Sequence, residues 1–373
     1  MELVKQSLGI DIAKSTFTAC LCKRYSDHSE ELSEVRTFDN NKTGFNQLIK
    51  WVNKISENGK AVYYVMEATG IYFESLAYHL HKIRKCISVV LPNKVHHYAK
   101  SLNVKTKTDE VDAKIISMMG CERNLFEWTP ASPLFRRLRD LCRLHKALMH
   151  DKTQTINRLK QLKCGQDPLK EALKIYQANI KRLSKELKTL EKKMEDQLKS
   201  DPQVWSKVEN ILKIKGLGIK TVAIVLGETQ GFKLIQNQRQ LISYCGYDVI
   251  QRESGTSIKG KTRISKKGNS NIRSAMYFPS MVATRYNPKM KEIYQRIIQS
   301  KSSKKIGLVA IQRRLLVLMY SLWKTEIAYD ENYERKKTSG FQTEDDSSSS
   351  STGTVDLRQQ GIKVDGAYKR LFK

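Results

Sequence analysis

No two cysteines in this chain are spaced as CxxC, and none of Cys20, Cys22, Cys86, Cys121, Cys142, Cys164 and Cys245 has a histidine at zinc-ligand spacing. Zinc fingers and ribbons are therefore excluded, and scattered thiols point to a reducing compartment, the cytoplasm, rather than a disulfide scaffold. Cys20 and Cys22, two apart in an apolar run, are expected on one face of a strand as small hydrophobes. The N-terminal MELVKQSLGIDIAK lacks the apolar core of a signal peptide, and the apolar run near the C-terminus is interrupted by Gln312, Arg313 and Arg314. Neither secretion nor a membrane span is expected. Acidic residues are also in short supply: 38 against 67 lysines and arginines, a net charge of +29, with a pI near 9.7. Solubility alone does not need that excess, so a polyanion partner is expected, the plain alternative being a generically basic soluble protein.

With 373 residues, 40% of them hydrophobic, the chain can bury one or two cores unaided. From Ser7 to about residue 125, β-rich runs alternate with helical stretches, the pattern of an α/β domain. Strands are expected at SLGIDI, FTACLC, a piece near Glu31 to Phe38, AVYYVME and CISVVL, and helices at Lys42 to Ile55, Tyr72 to Lys82 and Asp109 to Cys121. From Pro133 to about Lys199 glycine is scarce and charge high. Leu173, Tyr176, Ile180, Leu183, Leu187, Leu190 and Met194 repeat at an alternating 3-4 spacing, the seam of a coiled coil or helical hairpin, with Gly165 and Pro168 marking its turn. A third block, about Trp205 to Tyr329, closes on an amphipathic helix from Gly307 to Thr325. The domains are thus 1–130, 131–203 and 204–334, followed at 335–373 by a polar segment too poor in apolar residues to order itself.

Four acids stand out. Asp11 interrupts the buried strand pattern of GIDIAKS, which is costly unless something compensates it. Glu67 ends AVYYVME, also at a strand terminus. Asp109 and Asp112 lie three apart in KTKTDEVDAKII, on one face of a helix; Asp109 is also a candidate N-cap. Four hard oxygen donors converging this way suit magnesium or manganese, which hold phosphate oxygens and neutralise charge in the transition state. Singly, each acid has an ordinary reading as a turn, cap or helix-start residue.

Farther along, KIKGLGIKTVAIVLGE carries a Gly-x-Gly turn between two helical stretches, similar to a helix-hairpin-helix element, where backbone amides with Lys215 and Lys220 would bind phosphates; a plain packing turn fits equally. Downstream, hydroxyls, glycines and cations crowd together: Arg252, Ser254, Thr256, Ser257, Lys259, Lys261, Arg263, Lys266, Lys267 and Arg273. A serine attacking a phosphodiester needs neighbouring cations for the pentavalent phosphorane, and this block supplies them. An ordinary basic loop in which Ser254 only hydrogen-bonds phosphate remains the alternative.

GIDIAKSTF, VMEATGIY, KTDEVDAK, KGLGIKTVA, ESGTS and RISKKGNSNIRSAMYFPSMVA occur in the order of the DEDD-type insertion-sequence transposases, and over about Leu8 to Thr325 the chain resembles that family. The resemblance implies a RuvC-like, RNase H-like N-terminal domain, a helical coiled-coil arm and a mainly α C-terminal transposase domain. It implies a metal site at Asp11, Glu67, Asp109 and Asp112 and a nucleophile at Ser254. It also implies double-stranded donor and target DNA, a structured noncoding bridge RNA that guides the reaction, and a dimer to tetramer with composite active sites. One departure is Val249 in GYDVIQRESG, where relatives commonly carry proline before the serine. Competing expectations are a metal-dependent nuclease of the Holliday-junction resolvase type using the acids alone, and a nucleic-acid-binding protein whose acids are structural. An actin-like kinase reading of GIDIAKS lacks its further phosphate and adenosine loops.

Overall fold

LVKQSLGIDI forms the first strand, β1 (Leu3–Ile12), and the two-residue alternation of a strand decides which way each side chain faces. Leu8, Ile10 and Ile12 enter one core, leaving Ser7, Gly9 and Asp11 on the other face. The computed structural model describes residues 2–68, 70–233, 235–251, 253–254, 258–260, 262–300 and 303–330, with the backbone alone at 254, 258 and 259. The expected polar tail at 335–373, Arg252 and Lys261 lie outside the described residues. The chain separates into two units, Met1–Pro130 and from Ala131 onward.

In the first unit β1 turns tightly into antiparallel β2 (Thr16–Tyr25). The third strand, expected as one piece, is two: β3 (Glu30–Leu32) and β4 (Arg36–Asp39) pair with different halves of β2. After α1 (Lys42–Ile55), strand β5 (Val62–Glu67) lies parallel to β1 on its other side. Then α2 (Glu74–Lys82) leads to β6 (Cys86–Val90), parallel to β5. The strand order is β3-β2-β1-β5-β6. Two more helices follow, α3 (Pro92–Ser101) and α4 (Asp109–Glu122). Helix α3 has no counterpart among the expected elements, because Val95 and Tyr98 are its only buried side chains, too few for a helical stripe.

One face of the sheet buries Leu8, Ile10, Phe17, Tyr64 and Met66 against Leu48, Trp51, Leu76 and Leu80 of α1 and α2. The other buries Val65 and Val90 against Val95 and Tyr98 of α3 and Ile115, Ile116 and Met119 of α4. Each such aliphatic burial contributes about 1.5–3 kcal/mol. Two glycines set how closely α4 approaches: a Cβ on Gly9 would collide with the Ala113 carbonyl and the Ser117 amide, and one on Gly120 with the Ser7 hydroxyl. Gln6, fully buried, donates to the carbonyls of Glu57 (3.0 Å) and Lys60 (2.7 Å) and accepts from the Glu57 amide (3.1 Å). That side chain satisfies the backbone of the loop leading into β5.

The second unit begins with two long helices, α5 (Pro133–Lys163) and α6 (Lys170–Lys199). They run antiparallel, since Cys142 meets Met194 while His145 meets Glu191. Of the expected seam, Leu183, Leu187, Leu190 and Met194 are buried; Leu173, Tyr176 and Ile180, nearer the connecting turn, are half-buried. Leu138, Cys142, Leu190, Met194 and Leu198 share one core with α7 (Pro202–Leu212), α8 (Ile219–Thr229) and α9 (Gln238–Tyr244). Short strands β7 (Val249–Ile250), β8 (Glu253–Ser254), β9 (Ile258–Lys259) and β10 (Arg263–Ile264) follow. The unit ends on α10 (Ser270–Ala275), α11 (Tyr277–Tyr286), α12 (Pro288–Gln299) and α13 (Lys304–Thr325). By length and composition α13 could cross a membrane, but 67% of its most apolar window is buried inside the unit. Its Gln312 accepts a hydrogen bond from the buried Tyr247 hydroxyl at 2.9 Å, the behaviour of a core helix.

Candidate active site

Register places two acids side by side. Ile10 pairs with Met66 in the parallel β1–β5 ladder, so Asp11 and Glu67 are the next residues of neighbouring strands, both at C-terminal ends. Both point to the face that carries α4, because Gly9 and Val65 point there and side chains alternate. Helix α4 begins with Asp109 and has Asp112 in its first turn. The N-cap expected at Asp109 is instead Thr108, whose side chain accepts from the Val111 amide at 3.3 Å. With Thr108 capping, both aspartates of α4 are left free to face the strand ends.

Their mutual repulsion is visible in the acidities. Burial, and then the charges of Asp109, Asp112 and Glu67, push the Asp11 carboxyl up to about 6. Burial and Asp112 raise Glu67, against Lys107. Burial raises Asp112 as well, with Lys107 opposing and Asp109 adding to the rise. Acids crowded in this way, with Asp11, Glu67 and Asp112 all raised, make an electrostatic demand for a cation. Among the described residues, however, no three ligating side chains close on one point tightly enough to hold an ion as they stand. The donor set fits a hard divalent cation in chemistry, all oxygen and all acidic, with some closure required on binding.

In the second unit the residues around Ser254 form a ribbon. Val249 pairs with Ile264 and Ile250 with Arg263 at its base; Glu253 pairs with Lys259 and Ser254 with Ile258 beyond. Val249, the departure within GYDVIQRESG, thus has a strand partner. Arg263, Lys266 and Lys267 are exposed. Arg273 is turned inward and donates to the Cys245 carbonyl at 2.8 Å. Lys215 and Lys220 flank the α7–α8 turn, exposed, with the Lys220 amine 3.4 Å from Glu191. Gly216 in that turn has φ +109, and a Cβ there would strike Pro279 and Ala283, so only glycine suits it.

Glu228, at the end of VAIVLGE, is absent from the sequence expectations. It is 4% exposed and takes four donors: Arg143 Nε (2.9 Å) and Nη2 (3.0 Å), Asn269 Nδ2 (2.7 Å) and Asn271 Nδ2 (2.8 Å). Burial alone would raise its pKa, but these partners outweigh it and hold the carboxylate below the usual range. Asn269 also caps α10, accepting from the amides of Asn271 and Ile272. Glu228 thereby fixes the end of the basic KKGNSN segment to α5 and α8. An acid closing an apolar run was the available signal. Arg143→Met should strand this charge and cost about 2–4 kcal/mol in urea unfolding, somewhat under a fully buried pair because Arg143 is half exposed; a loss below about 0.5 kcal/mol would show the clamp carries no load.

Compared with known proteins, a family model described as a transposase matches residues 8–162, and one described as the IS116/IS110/IS902 transposase family matches residues 208–295. The pilin gene-inverting protein of Moraxella lacunata is 31% identical over 336 residues, 87% of this chain and 98% of that protein. Its Moraxella bovis counterpart is 30% identical with the same coverage. Among solved structures, Thermus thermophilus RuvC is aligned over 33% of this chain and 99% of its own, at 8% identity and a TM-score of 0.26. A Ppx/GppA family member of Aquifex aeolicus is aligned over 91% of this chain and 99% of its own, at 10% identity and a TM-score of 0.20.

Proposed function

Because the chain belongs to the IS116/IS110/IS902 family of transposases, we propose that it cuts and rejoins DNA with the Asp11, Glu67, Asp109 and Asp112 carboxylates and the Ser254 hydroxyl. The observation that carries the reading is the placing of Asp11 and Glu67 side by side at the ends of β1 and β5, on the face that carries α4 with Asp109 and Asp112 in its first turn; burial and the other three acids accordingly push the Asp11 carboxyl up to about 6. A six-stranded sheet, with β1 to β4 antiparallel and extended by the parallel β5 and β6, and with acids at the ends of β1 and β5 and on α4, is the arrangement expected of an RNase H-like domain.

The four acids would hold magnesium or manganese, which when bound neutralises charge on a phosphate and keeps it in line. Ser254 Oγ attacks the phosphorus, a serine–phosphate ester forms, and the bond to the departing deoxyribose oxygen breaks, that oxygen taking up the hydroxyl proton. Attack by another strand's hydroxyl reverses the step and restores the serine. Arg263, Lys266 and Lys267 lie on the same segment of chain as Ser254 and would offset charge on the phosphorane. Acids of one protomer would work with the serine of another in a dimer or tetramer. Donor and target DNA would be chosen by pairing to a structured bridge RNA, leaving the protein to read backbone and shape.

Ser254→Ala should abolish the covalent protein–DNA adduct seen on denaturing gels while DNA binding in gel shift changes by less than about twofold. An adduct that survives the substitution overturns the serine assignment. Metal-dependent cleavage to free ends that ignores Ser254→Ala would favour a resolvase-type nuclease acting through the acids alone.

A further inference from the structure

Four helices of the second unit, α5, α8, α10 and α11, leave between them a cleft of about 490 Å³, belonging neither to the acid set nor to the Ser254 ribbon. Its walls include Cys142, Ile224, Ala275 and Pro279, and its rim carries Lys146, Lys220 and Phe278. Phe278 is 72% exposed, a ring standing in water at the mouth of an apolar cleft with Tyr277 edge-on at 5.5 Å. Both lysines are exposed at the rim. From Phe278 the exposed face of α11 continues through Val282, Arg285 and Tyr286, a stripe about 12 Å long at helical rise.

The charged and amide groups in the walls are already engaged. His145 bonds Glu191, Arg143 bonds Glu228, and Asn271 bonds both Glu228 and Lys146. A small polar metabolite would find few donors left to fix it. A purely apolar side chain would have no use for the cations. What matches an apolar slot with an aromatic lip and a cationic rim is a flat, π-faced body on an anionic tether. The size suits a ligand of nucleoside scale.

We propose that this cleft receives an unpaired base of a DNA single strand, stacked on Phe278, with the strand's phosphates led past Lys146 and Lys220 and onward along the Val282–Tyr286 face of α11. The proposal rests on the DNA-exchange reading, since exchange of strands leaves bases without partners at the junction. Taking the base out of competition with re-pairing would keep the strand open.

The test uses full-length protein bearing Asp11→Asn, so that binding is read without cleavage, and short oligonucleotides carrying one 2-aminopurine. Single-stranded DNA should bind about tenfold more weakly when Phe278→Ala is added, Phe278→Trp should restore it, and duplex of the same sequence should change by less than about twofold. The 2-aminopurine should be quenched by the parent protein and not by Phe278→Ala. Equal losses on single strand and duplex, a loss confined to RNA of the same sequence, or no loss together with a change in oligomeric state by light scattering would each overturn the proposal. Failure here is separable from failure of the serine reading: Ser254→Ala should keep the quench and lose the adduct, whereas an incorrect base site leaves adduct formation intact.

Discussion

Asp11→Asn should cut strand cleavage roughly a hundred- to a thousandfold and, in the absence of divalent metal, make the protein more stable at about pH 8. Both effects have one source. The folded Asp11 carboxyl titrates at about 6 against an ordinary value of 3.8, so the folded state binds this proton more tightly than the unfolded chain. Its contribution therefore favours folding below about 4, is lost as pH climbs to about 6, and is a standing cost above that. Asparagine keeps the shape and removes the charge, relieving Glu67 and Asp112 as well. Thermal melts of parent and variant should differ least near pH 4, diverge as pH rises from about 4 to about 6, and keep a constant separation above that. Magnesium should raise the melting temperature of the parent and leave the variant nearly unmoved, since ligand binding stabilises only the state that holds it. A variant that loses stability at about pH 8, or that gains as much from magnesium as the parent, would mean that the four acids do not act as one set.

Gly9→Ala should unfold the first unit or cost it about 3 kcal/mol or more. Overpacking a core ordinarily costs about 1–3 kcal/mol because side chains can turn aside. Here the obstacles are the Ala113 carbonyl and the Ser117 amide, both backbone of α4, so the helix itself must move. Gly120→Ala makes the useful contrast, because the atom it meets first is the Ser7 hydroxyl, a side chain able to rotate; its cost should be visibly smaller in the same urea titration. Equal costs would show that α4 yields easily. A tolerant Gly9 would also weaken the case for the acid set, since this contact places Asp109 and Asp112 over the end of β1.

Strand alternation made much of the first unit readable in advance. The strands around Asp11 and Glu67 and the helix starting at Asp109 stand where the pattern put them, and the Asp11–Glu67 adjacency follows once β1 and β5 pair. Other features depend on contacts that no local pattern encodes. Thr108 and Asp109 are both good capping residues, and only the backbone geometry decides for threonine. Glu228 meets Arg143 from 85 residues away and the two asparagines from 41 and 43, so its role had no local signature. The apolar cleft is likewise a property of four helices from separate parts of the chain. Ser254 was reached through family likeness, and the four paired positions of its ribbon are too short for any periodicity to announce.

Helix α13 sets a schedule. Ile311, Leu315, Leu316, Met319 and Leu322 sit in the centre of the second unit's core, yet α13 is the last helix among the described residues. While the chain emerges from the ribosome at about 5–20 residues per second, the first unit has all its strands and α4 in hand early. The helices from α5 to α12 must wait with an open centre until α13 arrives to fill it. A newly made molecule therefore passes through a stage at which the first unit can be finished and the second cannot, and that stage lasts until α13 has emerged.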